Sequence, residues 1–182
     1  MNRQPVKIQV IRDLDPALLR PLDDEEAPTV DGMMLNHCYI DVRGCDASDL
    51  DHAIAEETAF YDEASELDDD RDALLDLLDR HFVESESTFD VGVAAAVVAI
   101  SMVGGAPISS CNGGWFGDDH SSSVPHILFS ITPEELDIVQ RAAAAADCGL
   151  TNNGPHAELF ADDLPKLLRF ALEVRKLTAG PS

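Results

Sequence analysis

The sequence is poor in cysteine, in lysine and in uninterrupted apolar stretches, and each shortage removes a class of protein. Four cysteines among 182 residues are too few for a disulfide scaffold, so free thiols and a reducing, cytoplasmic setting are expected. The opening residues MNRQPVKIQV hold no apolar signal-peptide core. Only 12 basic side chains face 35 acidic ones, a formal charge of −23. Binding to DNA, RNA or an anionic membrane surface needs local basic density to displace counterions, so neither a nucleic-acid nor a membrane partner is expected. The longest apolar run, 91–108, is broken by Gly104, Gly105 and Pro107. That leaves about 13 helical residues where a bilayer needs about 20, so a buried core helix is expected there.

What is present suits a folded domain. The chain is 45% apolar and 26% charged, and a chain of this length removes roughly 70% of its unfolded surface from water without a covalent or metal staple. Its acidity is uneven. Residues 1–90 carry 25 acidic and 7 basic groups, against 10 and 5 in residues 91–182, and 17 of the acids fall in 46–90. Three segments follow: strands and an acidic connector at 1–45, an acidic helical segment at 46–88, and a compact α+β unit at 89–182, with 46–182 read as one domain carrying 1–45.

Local patterns fill in these segments. Val6, Ile8 and Val10 alternate with Lys7 and Gln9 and predict a short strand, and a second is expected at 34–42. From Ser48 the pattern is helical, and Asp68, Asp69 and Asp70 separate two helices, because aspartate favours caps over helix interiors. In the second helix Leu74, Leu75, Leu78 and Phe82 form the expected inward stripe, with Asp72, Asp76 and Asp79 outward. A central helix is expected over 89–103, then strands from APISSC and VPHILFSI. Thr132, Pro133 and Glu135 fit the N-cap, first helical and capping-box positions of the next helix, with Ile131 stapled onto Leu136. A hairpin turning at Asn153-Gly154 follows, then a last helix at 164–177 burying Leu164, Leu167, Leu168, Ala171 and Leu172 or Val174. The fold class read from this order is α+β, a mainly antiparallel sheet packed by helices in the order helix, strand, strand, helix, strand, strand, helix.

Two places offer chemistry. The loop after the first of these strands gathers Ser110, Cys111, Asn112, Gly113, Gly114 and Trp115, where the glycine amides have the freedom to converge on an anion. No P-loop pattern accompanies it. A nucleophile reading takes Cys111 with His120, His126 or His156 as base and Asp118 or Asp119 to orient it. A zinc reading adds His156 or Cys148 to Cys111, His120 and His126, yet no CxxC or HxxxH pair supports it, so no metal and no cofactor is the default. The second place is the acidic segment. Asp62, Glu66, Asp69, Asp72, Asp76 and Asp79 form an anionic surface suited to a basic protein partner, against the plainer readings of a solvated helix face or adaptation to high salt.

The run GGAPISSCNGG, followed by His120 and PHILF, resembles a Ser-Cys-x-Gly turn between strands found in uncharacterised small bacterial and phage proteins, covering residues 90–130. The same element is similar to the family that methylates a wybutosine precursor in tRNA, but the basic surface that activity requires is missing here. The expected function is therefore an acidic accessory protein of the immunity, antitoxin or defence-regulator kind, docking on a basic partner. The alternative is a small-ligand-binding or zinc- or cysteine-dependent enzyme centred on the Ser-Cys-Asn-Gly-Gly loop. Assembly into a homo-oligomer is left open.

Overall fold

A computed structural model describes residues 6–21, 44–67, 70–84 (backbone alone for 82–84), 89–116 and 122–179. Helix α1 (Ala47–Ser65) begins where Asp46 caps it. The Asp46 carboxylate accepts the Ser48 and Asp49 amides, while Asp49 reaches back to the Asp46 amide at 2.7 Å, a reciprocal capping box. Helix α2 (Arg71–Glu84) starts the same way, with Asp70 accepting the Asp72 and Ala73 amides. The separator role expected of Asp70 is thus met; Asp68 and Asp69 lie outside the described residues. The strand expected at 34–42 and the connector beyond Pro21 also lie outside them.

Helix α3 (Ala94–Met102) is the apolar central helix, and α4 (Leu136–Ala146) and α5 (Pro165–Thr178) complete the helical layer. Four strands, β1 (Ala106–Cys111), β2 (His126–Ser130), β3 (Gly149–Asn153) and β4 (His156–Phe160), pair antiparallel in the order β1-β2-β4-β3. The α+β architecture expected from the sequence is the one observed. Along the strands Ile127, Phe129, Leu150, Ala157 and Leu159 are buried against the helices in one core. Strand alternation turns Ser109, Cys111, His126, Leu128, Glu158 and Phe160 to the other face. No helix among the described residues is long and apolar enough to cross a membrane.

Several elements differ from expectation for identifiable reasons. Residues 6–10 form no strand: the Val6 amide bonds to the Asp162 carbonyl, and the chain beyond them meets β3 through a single parallel bridge of Arg12 to Leu150 and through side-chain bonds of Asp13 and Asp15 with Thr151 and Asn152. Alternation supplied a face but no partner strand. The central helix begins at Ala94, five residues late, because Gly92 adopts a positive φ of 92°. A Cβ there would lie 2.6 Å from Leu164 Cδ2 and 2.8 Å from Tyr61 Oη, so the turn is packed too closely for any larger residue. Helix α4 starts at Leu136 instead of Pro133, although Glu135 does reach back to Thr132. The hairpin turns at Gly154-Pro155, since Asn153 pairs with His156 and only Gly154 takes positive φ. Glycine first in a two-residue turn is the type II′ pattern. In α5 Phe170 and Val174 are buried and Leu172 is 45% exposed.

Candidate functional site

The acidic surface is built by α1 and α2. Asp62 lies in the last turn of α1, Glu66 caps its C-terminus, and Asp72, Asp76 and Asp79 recur along α2; all five are exposed. None of the five has an ion-pair partner among the described residues. Asp69 is outside them. The outward spacing of the three α2 aspartates is as the sequence indicated, but the inward stripe is rotated. Leu77 is the buried leucine at 3% exposure, Leu74 and Leu78 are half-buried, and Leu75 is 38% exposed. The side chain of Phe82 is outside the described residues.

Between the two helices lies a cleft of about 250 Å³, lined by Glu56, Ala59, Phe60, Glu63, Leu77, Arg80 and His81. Its floor is Phe60, which stands edge-on to Phe116 and tilted against His81. Arg80 crosses the rim to Glu63 at 2.6 Å, an exposed pair of small energetic weight.

The glycine loop is arranged differently from an anion cradle. The Gly113 amide donates to Cys111 Sγ at 3.3 Å and the Gly114 amide donates to Asn112 Oδ1 at 3.0 Å. The Asn112 amide in turn donates to Asp90 Oδ2, and its side-chain Nδ2 donates to the Val91 carbonyl. The two glycine amides thus close on the loop's own side chains and tie it to the turn before α3. Trp115 and Phe116 fold into the core; Ser110 is half-buried on β1.

Cys111 and His126 are directly opposed across β1 and β2, so their side chains share a face. Cys111 is 6% exposed, and His126 Nδ1 donates to the Val124 carbonyl at 3.0 Å. His156 is not brought to them. It pairs with Asn153 at one end of β4, whereas His126 is opposed by Phe160 at the other, roughly 13 Å along the strand. His120 is outside the described residues, and among those described no three His, Cys, Asp or Glu side chains gather as a metal site. Cys148, another candidate thiol, is buried and donates to the Lys166 carbonyl. Burial pushes its pKa up to about 12, so it stays protonated at neutral pH.

One group escaped the sequence reading. Glu57 is 2% exposed, on the inward stripe of α1 formed by Leu50, Ala53, Glu57, Phe60 and Ala64. Its Oε1 accepts the Ala95 amide at 3.3 Å, at the head of α3. Oε2 and the enclosed hydroxyl of Tyr61, one turn along α1, have no hydrogen-bond partner among the described residues. Burial raises the Glu57 pKa to about 7, opposed by the amides of Ala95, Ala94 and Gly92 and reinforced by Glu56. The signal was available: an acid recurring at helical spacing among apolar residues marks a buried charge.

Comparison with protein-family models, with curated proteins and with solved structures returns no match.

Proposed function

We propose that the chain is an acidic accessory protein, of the immunity, antitoxin or defence-regulator kind, whose α1–α2 surface docks on a basic protein partner. The supporting observation is the placement of carboxylates where folding gains nothing from them. Asp62 and Glu66 stand at the C-terminal end of α1, which has no basic residue in its last turn. The helix dipole disfavours acids there. Asp72, Asp76 and Asp79 extend the same surface without counter-ions among the described residues. A field of one sign accelerates capture of an oppositely charged surface and weakens as salt rises. The test is affinity capture from the native host with wild type and the Asp72→Lys, Asp76→Lys, Asp79→Lys triple variant. A partner held by the wild type at about 50 mM salt, and released at about 500 mM, should be lost from the variant. Equal capture of that partner at low salt rejects the proposal.

The opposition of Cys111 and His126 favours a second reading, a small-ligand-binding or zinc- or cysteine-dependent enzyme at that turn. Against it stand the burial of Cys111 and the commitment of the glycine amides to the loop itself. Metal analysis of untagged protein together with thiol labelling separates the two. Stoichiometric zinc or a rapidly labelled Cys111 would favour the enzyme.

A further inference from the structure

Glu57 sits where three helices meet. Its own helix, α1, packs on α3 and α5. One oxygen accepts the Ala95 amide, while the other and the neighbouring Tyr61 hydroxyl meet no hydrogen-bond partner of good geometry among the described residues. Gly92 is kept without a side chain by the same close approach, since a Cβ there would run into Tyr61 and Leu164. A buried carboxylate with one oxygen left unpartnered is an expensive arrangement, and a neutral carboxyl in the same place costs far less.

The charged groups around it do little to offset that cost. On α1, Glu56 is of like sign. From the head of α5, Asp163 acts on Tyr61, and burial raises the pKa of Asp163 too. In the turn before α3, Asp90 accepts the Asn112 amide. Helix α3 has no ionisable residue along its length, and Lys166 and Arg169 act on Asp163 but are not among the main influences on Glu57. The favourable contribution is the row of amides at the α3 N-terminus, where a helix dipole welcomes negative charge. It is outweighed by the removal of the carboxylate from water.

We propose that Glu57 is a proton-operated latch seating α1 on the head of α3: protonated, it holds the helix down, and ionised, it loosens that seat. The latch acts on the helix that carries Asp62, and it stands whether or not the acidic surface has a partner.

The sign follows from linkage. The folded state holds the Glu57 proton to about pH 7, while the ordinary carboxyl releases it near 4.5. The stabilisation is therefore full below pH 4.5, is lost progressively as pH rises to about 7, and does not change further above it. Across that window the unfolding constant of the wild type should rise by about 300-fold relative to Glu57→Gln. Glutamine keeps an acceptor for the Ala95 amide and cannot ionise. Comparing the two proteins cancels the titration of the many surface acids they share.

The experiment is chemical denaturation of both proteins between pH 4.5 and 8, with carbon-detected NMR titration of the Glu57 carboxyl in the wild type. A ratio of unfolding constants that climbs with pH, and a Glu57 midpoint well above those of the exposed glutamates, support the latch. A ratio independent of pH, or a Glu57 carboxyl titrating together with the exposed glutamates, overturns it. The NMR titration needs no variant, so a misfolded Glu57→Gln leaves the proposal falsifiable. Neither measurement involves a partner, so failure of the latch and failure of docking are told apart.

Discussion

Helices α1 and α2 are alike in sequence and unlike in attachment. Both begin at an aspartate cap and both show carboxylates to solvent. Helix α1 buries Leu50, Ala53, Glu57, Phe60 and Ala64 against α3, α5 and the core, whereas among the described side chains of α2 only Leu77 is fully buried. Helix α1 is also tied to α5 by a two-bond pair between Asp51 and Arg175, in which the guanidinium holds the Asp51 pKa below the usual carboxylate range. The difference teaches that charge density does not reveal how a helix is held. One acidic helix is part of the core and the other rests on it, so substitutions of similar chemistry should behave differently on the two.

The largest expected effect comes from removing the anchor they share. Phe60 is 2% exposed and touches Tyr61, Phe116 and His81. Phe60→Ala deletes a buried ring and leaves a cavity, which costs about 3–5 kcal/mol. Urea denaturation should show it as a lower midpoint with little change in slope. A loss under about 1 kcal/mol would mean that α1 is seated no more firmly than α2, and the contrast between the helices would be broken.

Next comes the close approach behind α1. Gly92→Ala places a Cβ against Leu164 and Tyr61 at a backbone φ of 92°. Overpacking and backbone strain act together there, and about 2–3 kcal/mol is expected. The substitution also presses on Tyr61, so amide exchange at Ala94 and Ala95 should speed up beyond the general loss of stability. Exchange that follows global unfolding alone would show that the head of α3 and α1 do not move as a local unit.

Periodicity located most of these elements and failed where tertiary contact chooses between equivalent patterns. Leucines at 74, 75, 77 and 78 define two overlapping stripes on one helix. Docking beside Phe60 selects the stripe centred on Leu77, and nothing within α2 itself could. Asn153-Gly154 and Gly154-Pro155 are both competent turns, and the pairing of β3 with β4 chose the second. Gly92 looks like a tolerable residue in an apolar helix until Leu164 arrives from 72 positions away. At the candidate site, the exposure of Asp72, Asp76 and Asp79 was legible because three residues at helical spacing define a face by themselves. The state of the Cys111 loop was not. Free backbone amides and amides already taken by Asn112 and Cys111 have the same sequence. Glu57 was hidden by company, because one acid of the 17 between residues 46 and 90 reads as surface unless its phase with Leu50, Phe60 and Ala64 is checked.

The smallest expected effect is the most discriminating for the contrast. The triple lysine reversal on α2 changes net charge by six units, from −23 to −17, since each Asp→Lys contributes two. The three aspartates are exposed and have no ion-pair partner among the described residues to lose. Surface substitutions of this kind fall within about 0.5 kcal/mol each, and here relief of self-repulsion among like charges offsets whatever the new side chains cost. Thermal unfolding should therefore move by no more than a few degrees, with the direction upward at low salt and the gain shrinking as salt screens the field. A large fall in melting temperature would mean that the α2 aspartates support the fold. Loss of partner capture by that variant would then report damage to the helix and say nothing of its surface. A small, salt-dependent rise would establish the variant as folded, and any loss of capture could then be assigned to the charges alone.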